Sequence, residues 1–139
     1  MSKLLKLISI SLLGLFLTSG AFAKTEVVYI PKNTGNPYFD SIIKGFEVGA
    51  EKYGYNFSTV APATADATSQ LPFIKAEIQR GVDVIAISPN SNDALNTVFD
   101  QARKKGILVM VVNGDIPGSE AHRDLAIMPV DFSTVGTAQ

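Results

Sequence analysis

Three runs of β-branched and aliphatic residues recur along the chain: Val27-Val28-Tyr29-Ile30, Val82-Asp83-Val84-Ile85-Ala86-Ile87 and Ile107 to Val112. Such runs carry too little polar alternation to leave one face in water, so they read as strands buried on both faces. Between them lie segments with apolar residues at helical spacing. Phe39, Ile42, Ile43, Phe46 and Ala50 mark the first helix, with Asn36 as N-cap, Pro37 at its first position and Gly54 as its stop. A second strand is expected over roughly Tyr55 to Val60. The polar stretch Thr64 to Gln70 then leads to a helix carrying Phe73, Ile74 and Ile78, stopped by Gly81, with Pro72 obscuring its first turn. A third helix is expected to be capped by Ser91 or Asn92. Its core face is Ala94, Leu95, Val98, Phe99 and Ala102, with Lys104-Lys105 in the last turn and Gly106 beyond. A fifth short strand, Leu125 to Met128, follows a loop.

Strictly alternating strands and helices imply right-handed βαβ units. The fold class expected is therefore α/β, a doubly wound parallel sheet. The chain ends where Ser133 or Thr134 would open another crossover helix, which reads as a cut chain; a short natural tail is the alternative.

Met1 to Ala23 stands apart from this pattern. Lys3 and Lys6 precede the apolar run Leu7 to Leu17, and Ala21-Phe22-Ala23 closes it as a small-x-small cleavage site, the three-part form of a secretory signal peptide. A membrane anchor is the alternative reading, but the run is short of the ~20 residues a span requires. The expected division is a signal peptide over 1–23 and one α/β unit over 24–139. With no cysteine in the chain there is neither a disulfide framework nor a lipoprotein attachment point, so a soluble periplasmic protein is expected. Cleavage would remove Lys3 and Lys6 and make the formal charge of −1 two units more negative. Mild acidity without a basic face argues against nucleic acid as a partner.

Open parallel sheets bind ligands beyond the carboxyl ends of their strands. Those loops contribute Lys32, Asn33, Asn36, Tyr38 and Phe39 after the first strand; Ser88, Asn90 and Asn92 after the third; Asn113, Gly114 and Asp115 after the fourth; and Asp131 after the fifth. Amides, carboxylates, one lysine and aromatic rings suit a polyhydroxylated ligand. Plainer roles exist beside this one: Asn36 and Asn92 as caps, Phe39 as core, Asn113-Gly114-Asp115 as a turn, Lys32 as a solvated cation. Asp83 is placed at the far end of its strand. His122 reads as a surface loop residue, and Gly45-x-x-x-Gly49 as a smooth helix face packed on the sheet. Nucleophile elbow, zinc-protease and phosphate-loop motifs are absent, so neither catalysis, a metal nor a cofactor is expected.

The segments "IPKNTGNPYFDSIIKGFEVGAEKYG", "RGVDVIAISPNSNDALNTVFDQARKKGILVMVVNGD" and "MPVDFSTVG" resemble the N-terminal lobe of periplasmic sugar-binding proteins of ABC importers, of the ribose, rhamnose and autoinducer-2-binding type. The resemblance covers Lys24 to Gln139. It implies a type I periplasmic binding protein fold with strand order 2-1-3-4-5, two lobes closing on one ligand, and a monomer whose partners are a monosaccharide-like molecule and a membrane permease. A chemotaxis transducer stays open as a further partner. The implied ligand-binding residues are Lys32, Asn36, Tyr38, Phe39, Asn113, Asp115 and Asp131. Where ribose-type members carry an aspartate followed by arginine, this chain has Asn113 and Gly114, a departure from the ribose pattern; the resemblance implies Asp115 as the substitute carboxylate. A non-functional remnant of such a receptor, an α/β enzyme and a sugar-responsive regulator are the competing readings; the last would need a helix-turn-helix where this chain has a signal sequence.

Overall fold

A computed structural model describes residues 23–91, 93–114 and 118–128. Five parallel strands, β1 (Glu26–Ile30), β2 (Asn56–Thr59), β3 (Val84–Ile87), β4 (Leu108–Val112) and β5 (Leu125–Ile127), form one sheet in the order β2-β1-β3-β4-β5. Three helices connect them: α1 (Pro37–Tyr53), α2 (Leu71–Arg80) and α3 (Asn96–Lys104). A single 3₁₀ turn, Glu120–His122, lies between β4 and β5.

The register sorts the apolar runs onto two faces. Val28, Ile85 and Val109 are aligned across three strands, as are Ile30, Ile87 and Val111, and both rows are fully buried. They pack with Ile74 and Ile78 of α2 and with Val98, Phe99 and Ala102 of α3. The alternate row, Tyr29 and Ala86 with Met110, meets α1 on the other face. There Tyr29, Phe46 and Phe57 stack with ring centroids 5.2 and 5.3 Å apart. Helices on both faces explain why β1, β3 and β4 tolerate so few polar residues.

Most boundaries follow the sequence signals; the start of the third helix does not. Asn36 caps α1, its Oδ1 accepting from Tyr38 N at 3.1 Å, and Pro37 occupies the first position. Gly54 and Gly81 end α1 and α2 with φ of 76° and 75°. The third helix, however, begins at Asn96, so Ala94 and Leu95 precede it. Ser91 Oγ accepts from Asp93 N and Ala94 N at 3.3 and 3.1 Å, so this cap serves a leading turn and the helix proper starts after it. Asn92 lies outside the described residues.

The glycine pair on α1 also divides. A Cβ at Gly49 would stand 2.5 Å from Tyr55 Oη, a close approach that only glycine permits, whereas Gly45 has nothing within 4 Å. Gly45 instead borders a shallow apolar recess of about 290 Å³ with Ile42, Phe46, Tyr55, Val112 and Ile127. Among the described residues no helix is long and apolar enough to cross a membrane.

Candidate functional site

The loops leaving β1, β3 and β4 converge at the carboxyl edge of the sheet. Asn36, having spent its Oδ1 on the helix cap, keeps its side-chain N–H₂ for other partners. Tyr38 is half exposed, and its hydroxyl donates to Asn113 Oδ1 across 75 positions of sequence. Asn113 has φ of 72°, a left-handed conformation that asparagine tolerates better than most residues. Its backbone N–H donates to Ile127 O at 2.9 Å. The amide of β4's end is thereby turned toward the first turn of α1.

The expected site residues thus fall into four groups. Asn36, Tyr38 and Asn113 are brought together. Lys32 is half-buried on the same rim, with its backbone carbonyl accepting from Asn90 Nδ2 at 2.8 Å and no ion pair to its ammonium among the described residues. Phe39, 5 % exposed, belongs to the core under α1, the plainer of its two expected roles. Its ring meets Tyr38 edge-on, centroids 5.4 Å apart, and so braces the exposed ring from behind. Asp115 and Asp131 lie outside the described residues.

Beside this rim, Ser88 of the loop census and Tyr29 of β1 turn their hydroxyls inward. Ser88 is fully buried and its Oγ donates to Val112 O at 2.9 Å. Tyr29 Oη lies 2.8 Å from the same Oγ; since the serine's one proton is committed, the tyrosine donates. Burial pushes the Tyr29 phenol up to about 12, with the Ser88 contact offsetting part of the rise and the Tyr38 phenol adding to it.

Gln70, which the sequence pattern places in a polar loop, is also fully buried. Its Nε2 donates to Pro31 O and Ser88 O at 3.0 and 2.9 Å, and its Oε1 accepts from Asn90 N at 2.9 Å. It stands at the N-cap of α2 without a side-chain capping bond, and nothing in the sequence marks it as enclosed.

Away from this rim, His122 is half-buried, and its surface-loop reading needs amending: Nδ1 is 2.9 Å from Asp100 Oδ1 on α3. Asp83 stands where expected, at the opposite end of β3, accepting from Glu26 N at 2.7 Å. No cluster of three potential metal ligands occurs among the described residues. Neutral amides, a phenol and a cation on one rim can hydrogen-bond hydroxyls and stack against a ring.

Residues 27–139 match the sequence profile of the family described as periplasmic binding protein domain. The chain is 33 % identical over 111 residues to the D-allose-binding periplasmic protein of Escherichia coli K12, covering 79 % of this chain and 36 % of that one. Among solved structures, an ABC transporter solute binding protein from Clostridium phytofermentas with bound L-rhamnose is similar at 28 % identity and a TM-score of 0.76, over 84 % of this chain and 36 % of that one. LsrB from Clostridium saccharobutylicum in complex with AI-2 gives 26 % and 0.75, over 81 % and 34 %. The chain therefore spans little more than a third of the length of these relatives.

Proposed function

The chain belongs to the periplasmic binding protein domain family, and from that premise we propose that it is the N-terminal lobe of the substrate-binding component of an ABC-type sugar importer. In this reading residues 1–23 direct export and are removed, and residues 24–139 act in the periplasm without a lipid anchor. The ligand is a monosaccharide or a molecule of similar size and hydroxylation, held between this lobe and a second one. A membrane permease receives it, and a chemotaxis transducer is an optional further partner. The protein binds and delivers its ligand and performs no catalysis.

The observation that carries the reading is the Tyr38 to Asn113 contact. It joins two loops at the carboxyl edge of a parallel sheet and leaves amide N–H groups, a phenol face and a lysine on one rim. Asn36 and Asn113 would hydrogen-bond hydroxyls, Tyr38 would stack on the ring, and Lys32 would donate to an oxygen. Asp115 and Asp131 are proposed as the acceptors of the set, and Phe39 as the support of Tyr38.

One rim touches one side of a small ligand, so this chain alone should bind weakly. Titrating D-allose, D-ribose and L-rhamnose into labelled protein and following amide shifts should give fast-exchange changes confined to Lys32, Asn36, Tyr38 and Asn113. The dissociation constant should be about 1 mM or weaker, little more than 4 kcal/mol of binding. Shifts absent with every sugar would sink the sugar site; tight stoichiometric binding would sink the half-site.

A further inference from the structure

We infer that Gln70 is the positioning residue of the candidate site, its buried amide tying the β1 and β3 loops to the start of α2 so that Lys32 and Asn36 are presented in one fixed arrangement. The inference rests on the site proposed above. Three backbone groups from two different loops converge on one side chain: Pro31 O, Ser88 O and Asn90 N, all within 3.0 Å. Both Nε2 protons are used, and Oε1 takes the single N–H that faces it.

A second tier extends the tie outward. Asn90, with its backbone fixed by Gln70, donates from Nδ2 to Lys32 O at 2.8 Å and to Ser69 Oγ at 3.2 Å. Gln70 and Ser69 are neighbours, so consecutive side chains at the head of α2 hold the loop carrying Pro31, Lys32 and Asn36, Gln70 directly and Ser69 through Asn90. A fully buried glutamine that only filled space would cost stability compared with an apolar residue of its size, because polar groups lose hydration on burial. Its position is explained by the carbonyls it satisfies, which have no strand partner where β1 and β3 end.

Loop amides report the tie directly. Thr34 N donates to Pro62 O at 2.9 Å and Asn90 N to Gln70 itself, while Ile85 and Val109 sit in the sheet interior. In Gln70→Met, which keeps the volume and deletes the amide, hydrogen exchange at Thr34 and Asn90 should accelerate by about tenfold or more, with Ile85 and Val109 unchanged. Gln70→Glu keeps an acceptor for Asn90 N but sets a carboxylate against two carbonyls. It should loosen Thr34 while Asn90 stays protected, a split that packing alone does not produce.

Wild-type exchange at both loop amides in Gln70→Met overturns the inference, as does uniform acceleration through the sheet, which would make Gln70 a general stabiliser. Should Gln70→Met fail to fold, Asn90→Ala at its partly buried position tests the outer tier: Thr34 should accelerate selectively, and an unchanged rate overturns the inference. A parallel titration with D-allose, D-ribose and L-rhamnose separates this from the sugar reading. Failure of the wild-type chain to respond sinks the ligand assignment and leaves the exchange result to decide the tie by itself.

Discussion

Tyr29 shows how a single buried hydroxyl makes the fold sensitive to pH. Its ring stacks on Phe46 in the α1-side core, and its hydroxyl donates to Ser88 Oγ, which in turn donates to Val112 O. One side chain on β1 is thereby linked through β3 to the carboxyl end of β4, directly beneath Asn113. Burial holds the phenol at about 12 in the folded chain, against 10.0 for an ordinary tyrosine. Between those values the unfolded state has lost the proton and the folded state retains it. Stability from this group is therefore complete below pH 10 and declines as pH rises toward 12, by about 2–3 kcal/mol in all. Urea titrations at pH 8, 10 and 11.5 should show that decline, and in Tyr29→Phe it should be markedly smaller. Tyr29→Phe should itself cost about 1 kcal/mol at pH 8, the value of a typical net hydrogen bond. An equally steep alkaline loss in both proteins would assign the sensitivity to other groups.

At the scale of elements, the seam between α1 and the start of β2 is set by Gly49. Tyr55 Oη donates to Phe46 O at 2.8 Å, and a Cβ on Gly49 would stand 2.5 Å from that oxygen while the ring's Cζ stays at 3.5 Å. Gly49→Ala should therefore destabilise by about 1 kcal/mol despite alanine's better helix propensity, because the hydroxyl must leave its acceptor. With Tyr55→Phe already present the obstacle is gone, and the same Gly49→Ala change should stabilise by up to about 1 kcal/mol. Chemical denaturation of the four proteins measures the change of sign; additivity would show that the helix shifts instead. Patterns of this kind separate what was legible in the sequence from what was not. The strand and helix order was legible because buried parallel strands and one-sided helices impose different periods, and the caps at Asn36, Gly54 and Gly81 follow from local backbone chemistry. That Asn36, Tyr38 and Asn113 share one rim was legible because they follow strand ends. Gln70 was not, since its burial depends on two loops remote in sequence, and a polar residue ahead of a helix looks the same whether solvated or enclosed. The start of α3 was misplaced for a related reason: Ser91 makes cap-like hydrogen bonds to a turn that stops short of the helix.

At the scale of the whole molecule, the candidate site is joined to the outer surface of α3 through the weakest part of the sheet. β5 has only three residues, all exposed, and among the described residues pairs with β4 alone. Its N-terminal side is pinned by Arg103 of α3, which donates to Asp124 Oδ1 at 3.0 Å and to Ala121 O at 2.6 Å. Asp124 carries the restraint inward, its Oδ2 accepting from Val109 N at 2.8 Å and its own N–H donating to Val109 O at 2.9 Å. At the other end of β5, Ile127 O accepts the Asn113 N–H that helps fix the left-handed turn beneath Tyr38. Residues within a short, exposed strand open locally far more readily than core strands, so a loss of anchorage at α3 should reach Asn113 without unfolding β1 or β3. Arg103 is only partly exposed and makes two contacts with one short segment, so its removal should cost about 1–2 kcal/mol, more than an isolated surface pair. In Arg103→Ala, hydrogen exchange at Asn113 and Ile127 should accelerate by about tenfold while Ile85 and Ile87 keep their rates. Arg103→Lys keeps the charge but cannot reach both acceptors with one planar fork, and should fall between the two. If Asn113 exchanges at the wild-type rate in Arg103→Ala, the turn under Tyr38 is held by β4 and the Tyr38 hydroxyl alone, and α3 has no part in shaping the rim.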